Sequence, residues 1–234
     1  MSVRILVLDD DDGIRASLAL AMSGEGYQPV PAPSAEEALA EVRSRPVDLM
    51  LVDLMLGAMD GFTFIREARQ VSDAPIIVVS ARSDTHDIVA ALEAGADDYV
   101  TKPFEVKEVS ARLRALQRRP PAVAREPEGA AERLVLDSRT ALVLDMGAGQ
   151  VRRAEEPVHL TMTEFRLLCE FSRPPGRVIS RRSLLERVWD HGYFGDERIV
   201  DVHIRRLRTK IETEPSRPEL LVTVRGLGYR LDTR

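Results

Sequence analysis

The sequence predicts an α/β protein, with a doubly wound, five-stranded parallel sheet in its first half and a smaller α+β domain in its second. Three observations lead to this prediction. The first half alternates short, continuous apolar runs with stretches of helical period. A segment rich in proline, alanine and glutamate interrupts that pattern near the middle of the chain. The second half then shows short strand signals, three helical patterns and a terminal hairpin.

The elements of the first half follow one another in strand–helix order. Continuous apolar runs, typical of strands buried on both faces, lie at residues 3–8, 49–52 and 76–79, and weaker strands are predicted at 28–31 and 99–100. The helical patterns between them lie at 14–22, from 34 onward, and at 62–69, 85–94 and 106–117. Ser34 and Glu37 have the spacing of a capping box. Five such units imply a parallel sheet with right-handed crossovers, whose ligands bind at the carboxyl ends of the strands.

The second half begins beyond a predicted linker. Residues 119–132 lack apolar periodicity, and we place the linker at 120–132, between domains at 1–119 and 133–234. Strands are predicted at 134–136, 141–144, 150–152, 222–224 and 229–231, and helices at 163–172, 180–188 and 196–213. The last two strands flank an Arg-Gly-Leu-Gly turn and therefore form a hairpin.

Composition excludes several classes of site. The chain has 234 residues, one cysteine and four histidines, which rules out an internal disulfide framework and a cysteine-rich zinc site. This cysteine usage fits a reducing compartment, so we expect a cytoplasmic location. No run approaches the ~18 apolar residues of a membrane span, and we expect no membrane insertion.

Charge is distributed unevenly along the chain. Residues 1–119 hold 13 Lys and Arg against 20 Asp and Glu, a net of −7, whereas residues 120–234 hold 20 against 18, a net of +2. An acidic module is therefore joined to one that carries local basic patches.

Polar side chains follow several strands of the predicted sheet. Asp9 and Asp10 end the first strand, Asp53 ends the third, and Ser80 and Lys102 follow the fourth and fifth. Each alone is more often a helix cap or a solvated side chain. Together at one sheet edge, three carboxylates favour a divalent cation such as Mg²⁺, and the set suits transfer of a phosphoryl group to a carboxylate.

The first half resembles the receiver domain of bacterial response regulators. The resemblance rests on ILVLDD at 5–10, VDLM at 52–55, SAR at 80–82, EAGADDY at 93–99 and KPF at 102–104. It implies that Asp53 accepts a phosphoryl group from a sensor histidine kinase. It implies Mg²⁺ held by Asp10, Asp53 and the Met55 carbonyl, with Asp9 in contact through water. It also implies that Ser80 and Lys102 bind phosphoryl oxygens, that Tyr99 rotates inward on activation, and that the Lys102–Pro103 peptide bond is cis.

Two departures from this family concern a loop and a dimer face. Gly57 stands where relatives usually have proline, and glycine would loosen that loop. Receivers of this type dimerise through cross-subunit ion pairs, and the positions that match are Asp97, Asp98, Glu108, Arg112 and Arg119. Ile88 replaces the usual basic partner of Glu108. Since rim ion pairs are worth only ~0–1 kcal/mol each, we expect dimerisation to survive.

A basic helix marks the second half. At about 100° per residue, Val200, Ile204, Leu207 and Ile211 share one face, and the opposite face carries Arg198, Val202, Arg205, Arg206 and Thr209. A charged face is usually only solvated. A preceding short helix and a following hairpin favour instead a helix-turn-helix that binds DNA.

This half resembles the winged-helix effector domain of the OmpR/PhoB family. The match runs through LTMTEFRLL at 160–168, ISR at 179–181, VDVHIRRLR at 200–208 and TVRGLGY at 223–229. The resemblance implies that Arg206 contacts bases in the major groove and that Arg225 enters the minor groove. Phosphate contacts are implied for Arg181, Arg198, Arg205, Arg208 and Thr223. His203 is either a further phosphate contact or a buried interface histidine. The loop at 191–197 lies where relatives touch RNA polymerase.

Three interpretations from different classes follow. The first is a two-component regulator that dimerises on phosphorylation and binds tandem DNA half-sites, nearest to actinobacterial envelope-stress regulators. Its only chemistry would then be its own phosphorylation and slow dephosphorylation. The second is an aspartyl-phosphate phosphatase, which would need an Asp-x-Asp motif where Asp9 and Asp10 are adjacent. The third is a constitutive DNA-binding protein with a vestigial receiver.

Overall fold

The computed structural model describes residues 2–117, 133–189 and 196–234. The chain divides into two compact units, Met1–Arg114 and Ala115–Arg234, which we describe separately. The predicted linker at 120–132 lies outside the described residues, so the domain boundaries stay a prediction. No helix in the described ranges is long and apolar enough to cross a membrane.

The first unit is built on a five-stranded parallel sheet, as predicted. Its strands are β1 (Arg4–Leu8), β2 (Gln28–Ala32), β3 (Leu49–Val52), β4 (Ile76–Ser80) and β5 (Asp98–Thr101). Their order is β2-β1-β3-β4-β5, and every neighbouring pair is parallel. β1, β3 and β4 are almost wholly buried, which is why they appear in the sequence as continuous apolar runs. The order reverses between β1 and β3, and a crevice at the carboxyl ends of these strands is the expected ligand position.

Five helices cover the sheet. They are α1 (Asp12–Gly24), α2 (Ala35–Ser44), α3 (Gly61–Ala68), α4 (Thr85–Ala94) and α5 (Val106–Gln117). Short polar side chains cap the first four by accepting backbone N–H groups: Asp11, Ser34, Asp60 and Asp84. At α2, Ser34 Oγ accepts from the Glu37 N–H at 3.3 Å, which is one half of the predicted capping box.

The second unit begins with a four-stranded antiparallel sheet. Its strands are β6 (Arg133–Asp137), β7 (Leu142–Asp145), β8 (Gln150–Arg153) and β9 (Glu156–Pro157), in that order. The sequence did not predict β9, because two residues carry no periodicity. Leu136, Leu144 and Val151 face inward and are buried.

Three helices and a hairpin complete this unit. They are α6 (Met162–Ser172), α7 (Arg181–Val188), α8 (Arg198–Ile211), β10 (Leu221–Val224) and β11 (Gly228–Leu231). α8 ends two residues earlier than predicted, because Glu212 is extended and its carboxylate accepts the N–H groups of Leu220 and Leu221. A side chain at Gly228 would lie 2.1 Å from the Ile179 carbonyl oxygen, so only glycine allows the hairpin to approach this closely.

Candidate functional site

Three carboxylates converge in the crevice between β1 and β3. Oxygens of Asp9, Asp10 and Asp53 lie within 4.8 Å of one another. Asp9 and Asp53 are buried, whereas Asp10 is exposed. The arrangement arises because β1 and β3 are adjacent parallel strands that end at the same edge. The structure therefore brings together the three acids that the sequence singles out.

Lys102 joins this cluster from the end of β5. Its Nζ lies 2.7 Å from Asp53 Oδ2 and 2.8 Å from Asp9 Oδ2. Its backbone N–H donates to the Ser80 carbonyl oxygen at 2.8 Å, and the Lys102–Pro103 bond is cis, as the resemblance implies. Burial opposes the charged form of Lys102, but its hydrogen bonds to the two carboxylates outweigh burial and raise its pKa. Burial, only partly offset by Lys102, raises the pKa of Asp9.

The charge balance of this pocket suits a divalent cation. Three carboxylates and one ammonium leave two negative charges uncompensated. Asp53 is fixed at both oxygens, since Oδ1 accepts the Met55 N–H at 3.0 Å and Oδ2 accepts from Lys102. Carboxylate and carbonyl oxygens are the ligands that Mg²⁺ takes in proteins, so the residues present fit that ion. The Met55 carbonyl as a ligand stays a prediction.

Ser80 and Tyr99 lie beside the pocket. The Ser80 hydroxyl is fully buried and has no hydrogen bond of ordinary length and angle to any described residue. It lies close enough to the Tyr99 hydroxyl to lower the pKa of that phenol slightly, against the larger effect of burial. Tyr99 is 7% exposed and donates its hydroxyl to the Arg82 carbonyl oxygen at 2.6 Å. Burial raises the pKa of Tyr99 to about 12. The structure therefore holds this aromatic ring in an enclosed position, tied to the loop after β4.

The predicted dimer face is only partly on the surface. Arg112 bonds to Asp98 at 3.0 Å and to Glu108 at 2.7 Å within one chain. Ile88 is partly exposed on α4. Arg119 lies outside the described residues.

The prediction that Asp97 lies on the dimer face is wrong. Asp97 is fully buried, and its Oδ2 accepts from Arg69 at 2.5 Å and from the Ile76 N–H at 2.9 Å. Because it faces α3 and the start of β4, it does not lie on an exposed face. Its role is to hold Arg69, which also donates to the Gly95 carbonyl oxygen.

Gly57 has no conformational need to be glycine. A side chain added there would meet nothing within 4 Å, and its φ lies outside the left-handed region. Glycine at this position leaves the chain freer to move than proline would.

The basic face of α8 is narrower than the sequence predicts. Arg198, Arg205 and Thr209 are exposed. Arg206 is corrected: its side chain is only 14% exposed, and its Nη2 lies 3.1 Å from Oε1 of the fully buried Glu164. Arg206, at the margin of the predicted basic face, is thus directed to the start of α6. The predicted base contact at Arg206 is not supported by this geometry.

The position of His203 decides between the two alternatives that the sequence left open. The residue is fully buried, and its ring centroid lies 5.2 Å from that of Trp189. The His203 side chain of α8 therefore packs beside Trp189, which follows α7, and is not on the exposed face of the helix. Of the two alternatives that the sequence left open, the structure favours the buried histidine.

The remaining predicted contacts lie around the hairpin. Arg225 is exposed at the turn between β10 and β11. Arg208 donates to the Leu221 carbonyl oxygen at 2.6 Å and to Thr223 Oγ1 at 2.8 Å. Arg181 donates to Asp201 Oδ1 at 2.6 Å. The three residues Arg181, Arg208 and Thr223, predicted to contact DNA phosphates, therefore already have hydrogen-bond partners within the protein.

Three residues with partners in this domain are not singled out by the sequence patterns: Glu164, Asp201 and Tyr229. Glu164 accepts from the Thr161 N–H at 2.9 Å and from Lys210 Nζ at 2.6 Å, and it completes a capping box at α6. The Thr-x-x-Glu spacing was visible in the sequence and could have identified that cap. No sequence signal identifies the partners of Asp201 and Tyr229, because those partners come from other elements.

Comparison with known proteins gives matches to both units. The response regulator receiver domain matches residues 5–114, and the family described as transcriptional regulatory protein, C terminal, matches residues 155–231. The chain is 44% identical over 230 residues to the transcriptional regulatory protein AfsQ1 of Streptomyces coelicolor, covering 97% of each. It is 46% identical to CseB of the same organism, again over 97% of each.

A further relative and two solved structures are similar to the chain over nearly its whole length. The DNA-binding response regulator MtrA of Mycolicibacterium smegmatis is 41% identical, covering 98% of this chain and 97% of its own. Among solved structures, a mutant of RitR superposes with a TM-score of 0.74 at 25% identity, covering all of both chains. DrrB of Thermotoga maritima, an OmpR/PhoB homologue, superposes with a TM-score of 0.52 at 27% identity, covering 99% of this chain and all of its own.

Proposed function

The chain belongs to the OmpR/PhoB-type response regulators, with a receiver and a DNA-binding winged-helix domain, and from this premise we propose that phosphorylation of Asp53 by a sensor histidine kinase controls its binding to DNA. The observation that carries the proposal is the Asp9–Asp10–Asp53 cluster with Lys102 on two of its members. The relatives are transcriptional regulators, which argues against a phosphatase. The link to envelope stress stays a prediction.

Phosphoryl transfer uses Asp53 as nucleophile. A carboxylate oxygen of Asp53 forms a bond to phosphorus as the bond from phosphorus to the histidine nitrogen of the kinase breaks. Lys102, 2.7 Å from Asp53, and the buried Ser80 hydroxyl then bind the oxygens of the transferred group. Mg²⁺ held by Asp10, Asp53 and the Met55 carbonyl, with Asp9 in contact through water, would neutralise charge on the phosphoryl oxygens.

Mg²⁺ is expected to stabilise the folded chain. At ten times its dissociation constant, the ion raises the free energy of unfolding by about 1.4 kcal/mol, and Asp10→Asn removes this gain. Urea unfolding with and without Mg²⁺ measures the gain in the wild type and its loss in Asp10→Asn. Asp73→Asn is the matched control, because Asp73 is an exposed acid that precedes β4 at the opposite edge of the sheet. An equal gain from Mg²⁺ in Asp10→Asn would contradict the assignment.

Phosphorylation is expected to favour a receiver dimer through α4, β5 and α5. Glu108 is exposed and Ile88 is partly exposed on this face, and Arg112 is paired within the chain with both Asp98 and Glu108. Ion pairs at such a rim contribute ~0–1 kcal/mol each, so the absence of one basic partner at Ile88 is tolerated. Analytical ultracentrifugation at micromolar concentration, with beryllofluoride and Mg²⁺, should show a dimer. A monomer under these conditions would contradict the prediction.

The DNA contacts that the geometry supports best come from the exposed cations. Arg198 and Arg205 lie on the outer face of α8, and Arg225 lies at the tip of the hairpin. The helix suits a major groove, and the hairpin tip suits an adjacent minor groove. Two effector domains tethered to one receiver dimer would bind tandem half-sites with raised effective concentration. The loop at 191–197, proposed to contact RNA polymerase, lies mostly outside the described residues.

A mobility-shift titration on genomic fragments tests the proposed function. We expect beryllofluoride with Mg²⁺ to tighten binding of the wild type but not of Asp53→Ala, and the fragments retained give the operator. Because the switch acts through the receiver, the two proteins should bind alike without beryllofluoride. Equal binding in every condition would favour the alternative of a constitutive DNA-binding protein.

A further inference from the structure

Tyr229 lies at the meeting point of the three elements that face DNA in the proposed function. Its hydroxyl donates to Asp201 Oδ1 on α8 at 2.5 Å. Arg181, the first residue of α7, donates to the same oxygen at 2.6 Å and places its guanidinium 4.9 Å from the centre of the Tyr229 ring. We call Tyr229, Asp201, Arg181 and Arg208 the Tyr229 cluster.

Arg208 extends the cluster to the other strand of the hairpin. Its guanidinium lies 5.6 Å from the centre of the Tyr229 ring and donates to Leu221 and Thr223 on β10. The Tyr229 side chain is therefore bonded through its hydroxyl to α8 and contacted by two cations, while its own strand, β11, forms half of the hairpin. Tyr229 is 4% exposed, so its ring is buried, whereas the side chains of Arg181 and Asp201 are 30% and 42% exposed and border the surface.

The hydroxyl of Tyr229 is the part of the cluster that fixes direction. A cation above the ring tolerates sideways movement, whereas a hydrogen bond constrains both distance and angle. Burial raises the pKa of Tyr229 to about 12, so the hydroxyl keeps the proton that it donates at neutral pH. Asp201 accepts from both Tyr229 and Arg181, and its charge is thereby compensated on a face that approaches phosphates.

We propose that the Tyr229 hydroxyl is a positioning group that couples the hairpin to α8, so that the contact of Arg225 with DNA depends on the bond from Tyr229 to Asp201. This inference rests on the proposed placement of Arg225 in the minor groove. Arg225 is exposed four residues before Tyr229. Two side chains join the hairpin to α8: Arg208 bonds to Leu221 and Thr223 on β10, and the Tyr229 hydroxyl bonds β11 to Asp201. Without the hydroxyl, Tyr229 keeps its backbone bonds to Ile179 and the hairpin keeps its bonds to Arg208, but β11 loses its side-chain bond to α8, and the turn that carries Arg225 is held less firmly on that side.

A double-mutant cycle on the full, beryllofluoride-activated chain tests the coupling, with binding to a fragment retained by the wild type as the measurement. Tyr229→Phe keeps the ring and both cations above it, and removes the hydroxyl together with the bond that it donates to Asp201 and the bond that it accepts from Arg181. We expect Tyr229→Phe and Arg225→Ala each to weaken binding about three- to tenfold. Because both changes remove the same contact, the double variant should lose little more than either single variant.

Arg205→Ala supplies the matched control, since Arg205 is an exposed cation on α8 rather than on the hairpin. The fold-loss of DNA affinity in Arg205→Ala should multiply with the fold-loss in Tyr229→Phe when the two changes are combined. Independent, multiplying losses for Tyr229→Phe and Arg225→Ala would overturn the coupling alone, as would wild-type binding by Tyr229→Phe. No loss in Arg225→Ala would overturn the proposed minor-groove contact and the coupling with it. Circular dichroism at the binding temperature confirms that each variant is folded, so an unfolded protein cannot imitate the expected loss.

Discussion

Replacing Asp53 with asparagine is expected to reduce phosphoryl incorporation from a small phosphodonor by at least about a thousandfold. The amide has almost the shape of the carboxylate and can still accept the Met55 N–H, which is 3.0 Å from Oδ1 in the wild type. It lacks the negative oxygen that attacks phosphorus. Incubation with acetyl phosphate and Mg²⁺, followed by intact-mass spectrometry, measures the incorporated group.

Asp73→Asn controls for the loss of one exposed acid and should be phosphorylated at the wild-type rate. Incorporation retained in Asp53→Asn would mean that another acid is the acceptor. Asp9 and Asp10 are the candidates in the pocket, since their oxygens lie within 4.8 Å of those of Asp53. Peptide mapping of the phosphorylated product would then identify which of them carries the group.

The acidic pocket could be predicted from sequence because strand topology alone brings its members together. A buried parallel strand appears as a continuous apolar run, and the residue after it lies at the carboxyl edge. Asp9 and Asp53 satisfy this condition, and Lys102 follows the weaker strand β5. The structure places Lys102 within hydrogen-bond distance of both acids. The weakly apolar β2 was also predicted, because the alternation of strands and helices requires an element there.

The destinations of individual charged side chains could not be predicted in the same way. Asp97 and Asp98 are adjacent, and side chains alternate in direction along extended chain. One pairs with Arg69 beside α3, and the other pairs with Arg112 on α5. The motif gives the two acids the same apparent role, whereas their partners lie on different elements.

The helical projection of α8 failed at its margin for a related reason. Projection assigns each residue an angle but does not show which neighbouring element covers that angle. Arg206 and His203 lie between the apolar face and the exposed face, where α6 and Trp189 cover them. The capping carboxylate of Glu164, a property of α6, therefore decides the position of a side chain on α8.

Arg206→Ala is expected to destabilise the winged-helix domain by about 3 kcal/mol, because it leaves the buried Glu164 carboxylate without one of its two cations. The loss lies at the lower end of the usual range, since Lys210 remains 2.6 Å away. Burial alone would raise the pKa of Glu164, but Arg206 and Lys210 lower it below 4.5. This contribution to stability is therefore present at neutral pH and is lost as pH falls through the lowered pKa.

Urea unfolding followed by Trp189 fluorescence measures this loss, because Trp189 is the only tryptophan and lies in the second unit. The adjacent, exposed Arg205 is the matched control, and Arg205→Ala should change the free energy of unfolding by less than about 0.5 kcal/mol. DNA binding should show the reverse order. Arg205→Ala should weaken binding to all DNA sequences alike, and it should weaken binding more than Arg206→Ala does. Wild-type stability in Arg206→Ala together with a loss of base preference would contradict this prediction. It would mean that the Arg206 side chain of the wild type leaves Glu164 and contacts a base in the major groove, as first predicted.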